Sequence, residues 1–236
     1  MTTENTTRFP LIDYLRGLAV VLMIFFHFCY DLKLFDYVAI DFNKDLFWYG
    51  LPRFIVFLFM LCVGMSLKLA HGAGIRWGIF GKRVGILAAL ALVVSLVTYF
   101  MFPTRWVYFG TLHCIALCSL LTLPFLPLPW PGFVFGLGMI IPSLFFKLNI
   151  PWFSLSHVSM DYIAPFPWLG VSFLGVWSVH MNFHSWRPRV PKALQRGLNG
   201  LEFLGKKSLI IYMLHQPILY GVVFLFSQVA HLRAKW

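Results

Sequence analysis

The sequence predicts an all-α, polytopic transmembrane helix bundle of about seven spans (seven to eight) with a cytoplasmic N-terminus. Three observations predict it. Of 236 residues, 60% are hydrophobic and 11% charged, where a soluble domain is nearer half apolar and a quarter charged. The mean hydropathy is +0.79. Apolar runs approaching the ~20 residues that cross a hydrocarbon core recur along the whole chain, separated by short Gly-, Pro- and Lys/Arg-bearing connections. No polar segment is long enough to fold separately, so residues 1–236 read as one domain.

In chain order the expected spans are 13–35, 47–69, 83–102, 106–126, 131–147, 163–181 and 207–229. Their boundaries are the breaker-rich stretches GAGIRWGIFGKR, FPTR, LPLPWPG, NIPW and SWRPRVPK. The fifth run is short and Gly-rich, and residues 151–162 read as an interfacial loop. Charge sets the orientation. Arg8, Arg16, Lys68, Arg76, Lys82, Arg83, Arg187, Arg189, Lys192, Arg196, Lys206 and Lys207 fall on the side of the N-terminus. Lys33, Lys44, Arg105, Lys147, Arg233 and Lys235 fall opposite, and Arg53 lies within a span. Twelve against six places the N-terminus inside, and an odd number of spans places the C-terminus outside.

The same distribution disposes of another reading of the net charge of +11. Basic residues interleaved between apolar runs encode membrane topology, so no nucleic-acid partner is expected. Cys29, Cys62, Cys114 and Cys118 all sit inside apolar runs, where thiols behave as small hydrophobes rather than disulfide partners. His113 beside Cys114 and Cys118 lacks the further ligands of a typical metal site, so no metal is expected. Residues 1–10 are polar and the first apolar run is long for a signal h-region, so no cleavable signal peptide is expected. Asn5, Thr6 and Thr7 form a glycosylation sequon by pattern only.

The first span carries the chemistry. LIDYLRGLAVVLMIFFHFCYDLKLF contains Asp13, Arg16, His27 and Asp31. At about 100° per residue, with Arg16 at zero, His27 falls near 20° and both aspartates near 60°. A charge near the bilayer centre costs at least about 2.5–3.5 kcal/mol, so this stripe must face the bundle interior or a wet cavity. Asp13 and Arg16 also suit interfacial anchors, and His27 an interhelical hydrogen-bonder. The four-residue spacing of His27 and Asp31 puts imidazole and carboxylate on one face. A carboxylate there fixes the tautomer of the imidazole and raises its basicity, the arrangement of a general base.

Counting along the helices gives two tiers. His27 lies about 16 Å from Arg16, at a depth shared with Asp31, Arg53 and His113, an outer tier suited to proton chemistry. The inner tier holds Arg16, Lys82, Arg83, Lys206 and Lys207, with His215 a little deeper, and suits an anionic ligand arriving from the cytoplasm. Ordinary positive-inside flanking accounts for the lysines and Arg83 equally well. LHQP at 214–217 marks a polar spot in the last span, where Pro217 frees a backbone carbonyl one turn earlier.

IDYLRGLAVVLMIFFH, arginine then ten residues then histidine, resembles the first-helix signature of membrane-bound acyltransferases. With YFGTLHCIALCSLL, PFPWLGVSFLGV and IIYMLHQPIL, it resembles more closely bacterial relatives of the heparan-alpha-glucosaminide N-acetyltransferase catalytic domain, over residues 8–225. The resemblance implies acetyl transfer from cytoplasmic acetyl-CoA to a hydroxyl or amine, often a sugar, on the far side. It implies residence in a bacterial inner membrane. His27 would be the catalytic histidine and Arg16 its paired arginine, with Arg83, opening the third helix, on the CoA phosphates.

The whole expectation is therefore catalysis by His27 and Asp31, with Arg53 or His113 stabilising the oxyanion. Donor binding falls to Arg16, Lys82, Arg83, Lys206 and His215, and a transient acetyl-histidine is the variant. Expected partners are the lipid bilayer, the acyl-CoA, a carbohydrate or other small acceptor and, as a candidate, a second copy of the chain. Two rivals belong to other classes. The His27/Asp31 pair also suits a proton-coupled carrier, although no inverted repeat is visible. A non-catalytic acetyl-CoA-binding scaffold subunit is the third reading.

Overall fold

The computed structural model describes residues 9–148, 150–186 and 190–233. Arg8, the sequon at 5–7, Arg187, Arg189 and Lys235 lie outside the described residues. Eight α-helices and no strand occur among the described residues: α1 (Pro10–Leu34), α2 (Leu46–His71), α3 (Trp77–Met101), α4 (Thr111–Thr122), α5 (Pro129–Phe146), α6 (Pro165–His180), α7 (Lys192–Lys206) and α8 (Ser208–Arg233). They form two compact units, one of the described residues up to Leu58 with those from 190 onward, the other Phe59–Trp186.

Five helices are long and apolar enough to cross a membrane: α1, α2, α3, α5 and α8, the last over Ser208–Val229. The expected spans at 106–126 and 163–181 come out shorter. Residues before Thr111 stay extended because side chains of α3 occupy their backbone. Thr98 Oγ1 accepts the Val107 amide at 3.0 Å and Ser95 Oγ donates to the Val107 carbonyl at 2.7 Å. A 3-10 turn at Leu123–Phe125 then ends α4 at Pro124. α6 begins only at Pro165, and Phe166 inside its first turn is extended. Twelve and sixteen helical residues reach about 18 and 24 Å, short of the ~30 Å hydrocarbon thickness. α3, by contrast, starts at Trp77, so Lys82 and Arg83 occupy its second turn rather than its entrance. Gly72 and Gly74 lie in the turn before that helix, and the three glycines inside it, Gly78, Gly81 and Gly85, lower its propensity without stopping it.

In the first unit, α1 starts on a proline, whose missing N–H is no loss there. It ends in a Schellman turn, with Tyr37 N–H bonded to the Leu32 carbonyl (2.9 Å) and Asp36 left-handed at φ 59°. α7 runs antiparallel along its N-terminal half. A Cβ on Gly17 would overlap the Leu201 carbonyl, and one on Gly205 the Asp13 carbonyl. Glycine at both crossing points is what lets the two backbones touch, the small-residue packing common in membranes. Ile12, Ala19, Val20, Met23, Leu51, Ile55, Val56 and Val223 fill this unit's core.

The second unit repeats the device. Gly64 of α2 lies on the Ser172 carbonyl of α6, and Gly175 on the Leu61 carbonyl. Its core includes Met60, Met65, Leu67, Phe173 and Val176, and a buried Thr122–Ser172 hydroxyl pair at 2.9 Å ties α4 to α6. In both units many large apolar side chains point outward, among them Val93, Phe100, Leu144 and Leu225. Such a surface suits hydrocarbon rather than water. Residues 150–164 are irregular, and Trp106 stacks there on His157 with ring centres 5.4 Å apart.

Candidate functional site

The polar stripe of α1 meets α8. The His27 and His215 rings pack edge-on, 4.8 Å between centres with a 62° tilt. One turn further along α1, Asp31 is fully buried, and its Oδ1 accepts a hydrogen bond from Gln216 Nε2 at 2.9 Å. His215 is itself 9% exposed, and its Nδ1 lies 2.6 Å from the Tyr212 carbonyl of its own helix. Buried and without a hydrogen-bond partner among the described residues are Asp31 Oδ2, His215 Nε2 and Gln216 Oε1. Both helices are held in register further along by Phe35, whose ring packs on Tyr220 at 5.5 Å and on Phe224 at 6.3 Å. Phe26 meets the His27 ring edge-on at 5.5 Å and continues through Phe42 to Trp48. The polar junction thus has an aromatic flank.

Depth counting put His215 with the inner basic tier; the structure puts it against His27. The count from the start of α8 and that from Arg16 differ by about four residues, or roughly 6 Å, and an offset of that size between helix starts is enough to bring the rings level. Asp31 engages Gln216, not His27. Gln216 escaped the sequence reading, although LHQP had been singled out; an amide gives no signal of its own until its partner 185 residues away is known.

The other expected residues are distributed as follows. Arg16 pairs with Asp13 at 3.8 Å, and Lys206 pairs with Glu202 along α7. Arg53 is exposed, with its guanidinium 3.5 Å from the centre of the Tyr49 ring and one nitrogen 2.6 Å from the Tyr49 carbonyl. Lys82 is exposed and Arg83 half-buried on α3. His113 belongs to the second unit and works as a cap there. Its Nδ1 accepts the Gly110 amide at 3.2 Å, and its Nε2 lies 3.3 Å from Ser95 Oγ. Asp161 completes that helix start by accepting the Thr111 amide at 2.9 Å, a carboxylate at a helix N-terminus. Cys114 and Cys118, with sulfurs 3.8 Å apart, are buried and free.

Beyond the end of α1, Lys33 and residues Asp36, Tyr37, Val38, Ala39, Ile40 and Asp41 line a cup of about 640 Å³. Lys33 Nζ donates to the Ile40 carbonyl and lies 5.5 Å from the Phe42 ring centre, closing the loop. The Asn43 amide on Asp41 Oδ1 (3.0 Å), helped by the Lys44 amide and the Lys44 and Lys33 charges, holds the Asp41 carboxyl below its ordinary range.

Over residues 8–217 the sequence matches the family model described as "Heparan-alpha-glucosaminide N-acetyltransferase, catalytic". The chain belongs to that family. No curated protein and no solved structure matches it. Membership in the heparan-alpha-glucosaminide N-acetyltransferase catalytic family supports a transferase role, specifically acetyl transfer, in a chain whose apolar helices make it an integral membrane protein. Acetyl-CoA as donor is consistent with this family. The matched region ends at Pro217, so it takes in His27, Asp31, His215 and Gln216.

Proposed function

We propose that this protein moves an acetyl group from cytoplasmic acetyl-CoA to a hydroxyl or amine acceptor, a sugar by the family's description, on the outer side of a bacterial inner membrane. The observation that carries the proposal is the buried junction of α1 and α8. A buried carboxylate and a buried imidazole meet a half-buried imidazole and carboxamide there, and no packing need accounts for four such groups in an apolar bundle. A membrane acetyltransferase needs a base, or a nucleophile, at that kind of place.

His27 is the histidine on which transfer depends, either as general base or as transient carrier of the acetyl group. Asp31, held by Gln216 one turn away on the same face of α1, is the carboxylate of the site. Arg53 is the oxyanion donor, since the guanidinium keeps donors beyond the one given to Tyr49. His113, the other candidate, has both ring nitrogens engaged at the start of α4. Arg16 and Lys206, both in the first unit, are the donor-phosphate contacts, supported by their charge and by the inner-side count. The cup beyond α1, with Asp36, Tyr37 and Asp41, offers hydroxyl and amine groups of the acceptor their partners about 10 Å above His27.

Purified protein in nanodiscs, supplied with acetyl-CoA and glucosamine, should release CoA and form the acetylated sugar. His27→Ala should lower transfer at least about 10²-fold while acetyl-CoA still raises the melting temperature. Transfer at the wild-type rate in that variant would end the proposal.

A further inference from the structure

The His27 nitrogen that carries the acetyl group has no lone pair left, and the other, across the ring, points away from the acetyl carbon and is weakened as a base by the acyl group, so the acceptor's proton needs a second base. The second base is already set on α8. The Tyr212 carbonyl, 2.6 Å from His215 Nδ1, has only lone pairs to offer, so in the neutral ring the hydrogen sits on Nδ1. Nε2 therefore holds a lone pair, buried and without a partner, on a ring packed 4.8 Å from His27. A backbone carbonyl that fixes one ring nitrogen so that the other accepts is the orienting half of a catalytic triad. Among the described residues no hydrogen bond fixes the His27 ring in this way.

The atoms left unpartnered around it agree. As a carboxylate Asp31 accepts only, so the Gln216 amide turns its nitrogen to Asp31 Oδ1 and leaves Oε1 free. His215 Nε2, Gln216 Oε1 and Asp31 Oδ2 are then acceptors without donors. A buried acceptor left unpaired forfeits the hydrogen bond it would make in water. The complement is a ligand that brings hydrogen-bond donors, which the acceptor's N–H or O–H groups are and a thioester is not.

We propose that His215 is the residue that takes the acceptor's proton, with His27 carrying the acetyl group and Gln216 positioning Asp31; this rests on the acetyltransferase reading above. In the first step a His27 ring nitrogen bonds the thioester carbonyl carbon and the C–S bond breaks. The departing thiolate takes the proton from the other His27 nitrogen, leaving CoA and neutral acetyl-imidazole. In the second step the acceptor heteroatom bonds the acetyl carbon while its proton passes to His215 Nε2. The C–N bond to His27 breaks, and the released His27 nitrogen takes that proton from His215, leaving both rings neutral.

The test separates the two steps. His215→Asn keeps a donor where Nδ1–H stands, and so the Tyr212 bond, but has nothing at Nε2; His215→Gln is the second variant should the first fail to fold, with acetyl-CoA-dependent thermal stabilisation showing which is intact. Each is mixed with acetyl-CoA alone, then with glucosamine, and CoA release is followed alongside the mass of the intact protein and of its peptides. The expected result is one CoA released per chain and one acetyl group retained on the His27 peptide. Steady-state transfer should fall about 10²–10⁴-fold, and His27→Ala should release none. Wild-type turnover in the His215 variants, or loss of the initial CoA release together with turnover, would overturn the assignment and leave the acetyltransferase reading standing. Absence of acetyl-CoA consumption by the wild-type protein, with glucosamine or with water, would overturn both.

Discussion

Single residues divide here into those that do chemistry and those that hold backbone, and the division follows their hydrogen bonds. His113 and His215 look alike in the sequence, each a lone histidine in an apolar run. In the structure the first spends both ring nitrogens on Gly110 and Ser95, while the second spends one and keeps the other. His113→Ala should therefore lower stability by about 0.5–2 kcal/mol, the usual loss for a helix cap, and leave acetyl transfer near wild type. A transfer rate reduced a hundredfold, in protein with unchanged acetyl-CoA binding, would return His113 to the site. Gln216 behaves the other way. Gln216→Leu removes the one donor given to Asp31 and should cost about 1–3 kcal/mol of stability. Gln216→Glu should cost more, because it sets two carboxyl groups within contact distance in an apolar setting. Thermal melts in detergent that rank the two in the opposite order would show that Asp31 has another partner. The arc shared by Asp13, Arg16, His27 and Asp31 was legible from spacing alone. Which of them met which partner was not, since angular position on a helix says nothing of the neighbouring helix.

Among the elements, α7 is the one the sequence reading passed over. Between the expected spans at 163–181 and 207–229 the sequence reading marks only the breaker stretch SWRPRVPK, and it gives the residues that follow no element. A signal was present: Leu194, Leu198, Leu201 and Gly205 recur at four, three and four residues, one stripe of a helix. Leu201 and Gly205 are its contact points with α1. Gly17 and Gly205 permit that approach, and a β-branched side chain at either has nowhere to go but into a backbone carbonyl. Gly17→Val or Gly205→Val should destabilise the protein by at least about 1–3 kcal/mol and, by displacing α1, should lower transfer as well. Gly221, with nothing near its Cβ direction, is the control: Gly221→Ala should be neutral or stabilising by a few tenths of a kcal/mol up to about 1 kcal/mol, as expected for Gly→Ala in a helix interior. Equal melting temperatures for Gly17→Val and Gly221→Ala would refute the packing argument. The shorter α4 and α6 show the opposite error. Apolar composition marked 106–110 and 163–164 as helix, but hydrogen bonds from Ser95 and Thr98 and the proline at 165 claimed those backbones first.

For the whole molecule the open quantity is orientation, and it can be measured. Lysine and arginine counts place Lys82 on the cytoplasmic side and Lys44 outside. Both are exposed in the structure, so Lys82→Cys and Lys44→Cys can each be labelled. A membrane-impermeant maleimide added to right-side-out vesicles should modify the second and spare the first, and inverted vesicles should reverse the pattern. Labelling of Lys82→Cys from outside would turn the protein over and, with it, the side from which the donor is expected. Membrane residence, the all-helical class and the family were determined by the sequence itself. They depend on composition, on the period of apolar residues and on local motifs, which one chain carries along its own length. The pairing of His27 with His215, of Asp31 with Gln216 and of Gly17 with Leu201 was decided only by tertiary structure. These contacts join residues some 184 or more positions apart, and at that separation the packing of helices, not the chain between them, selects who meets whom.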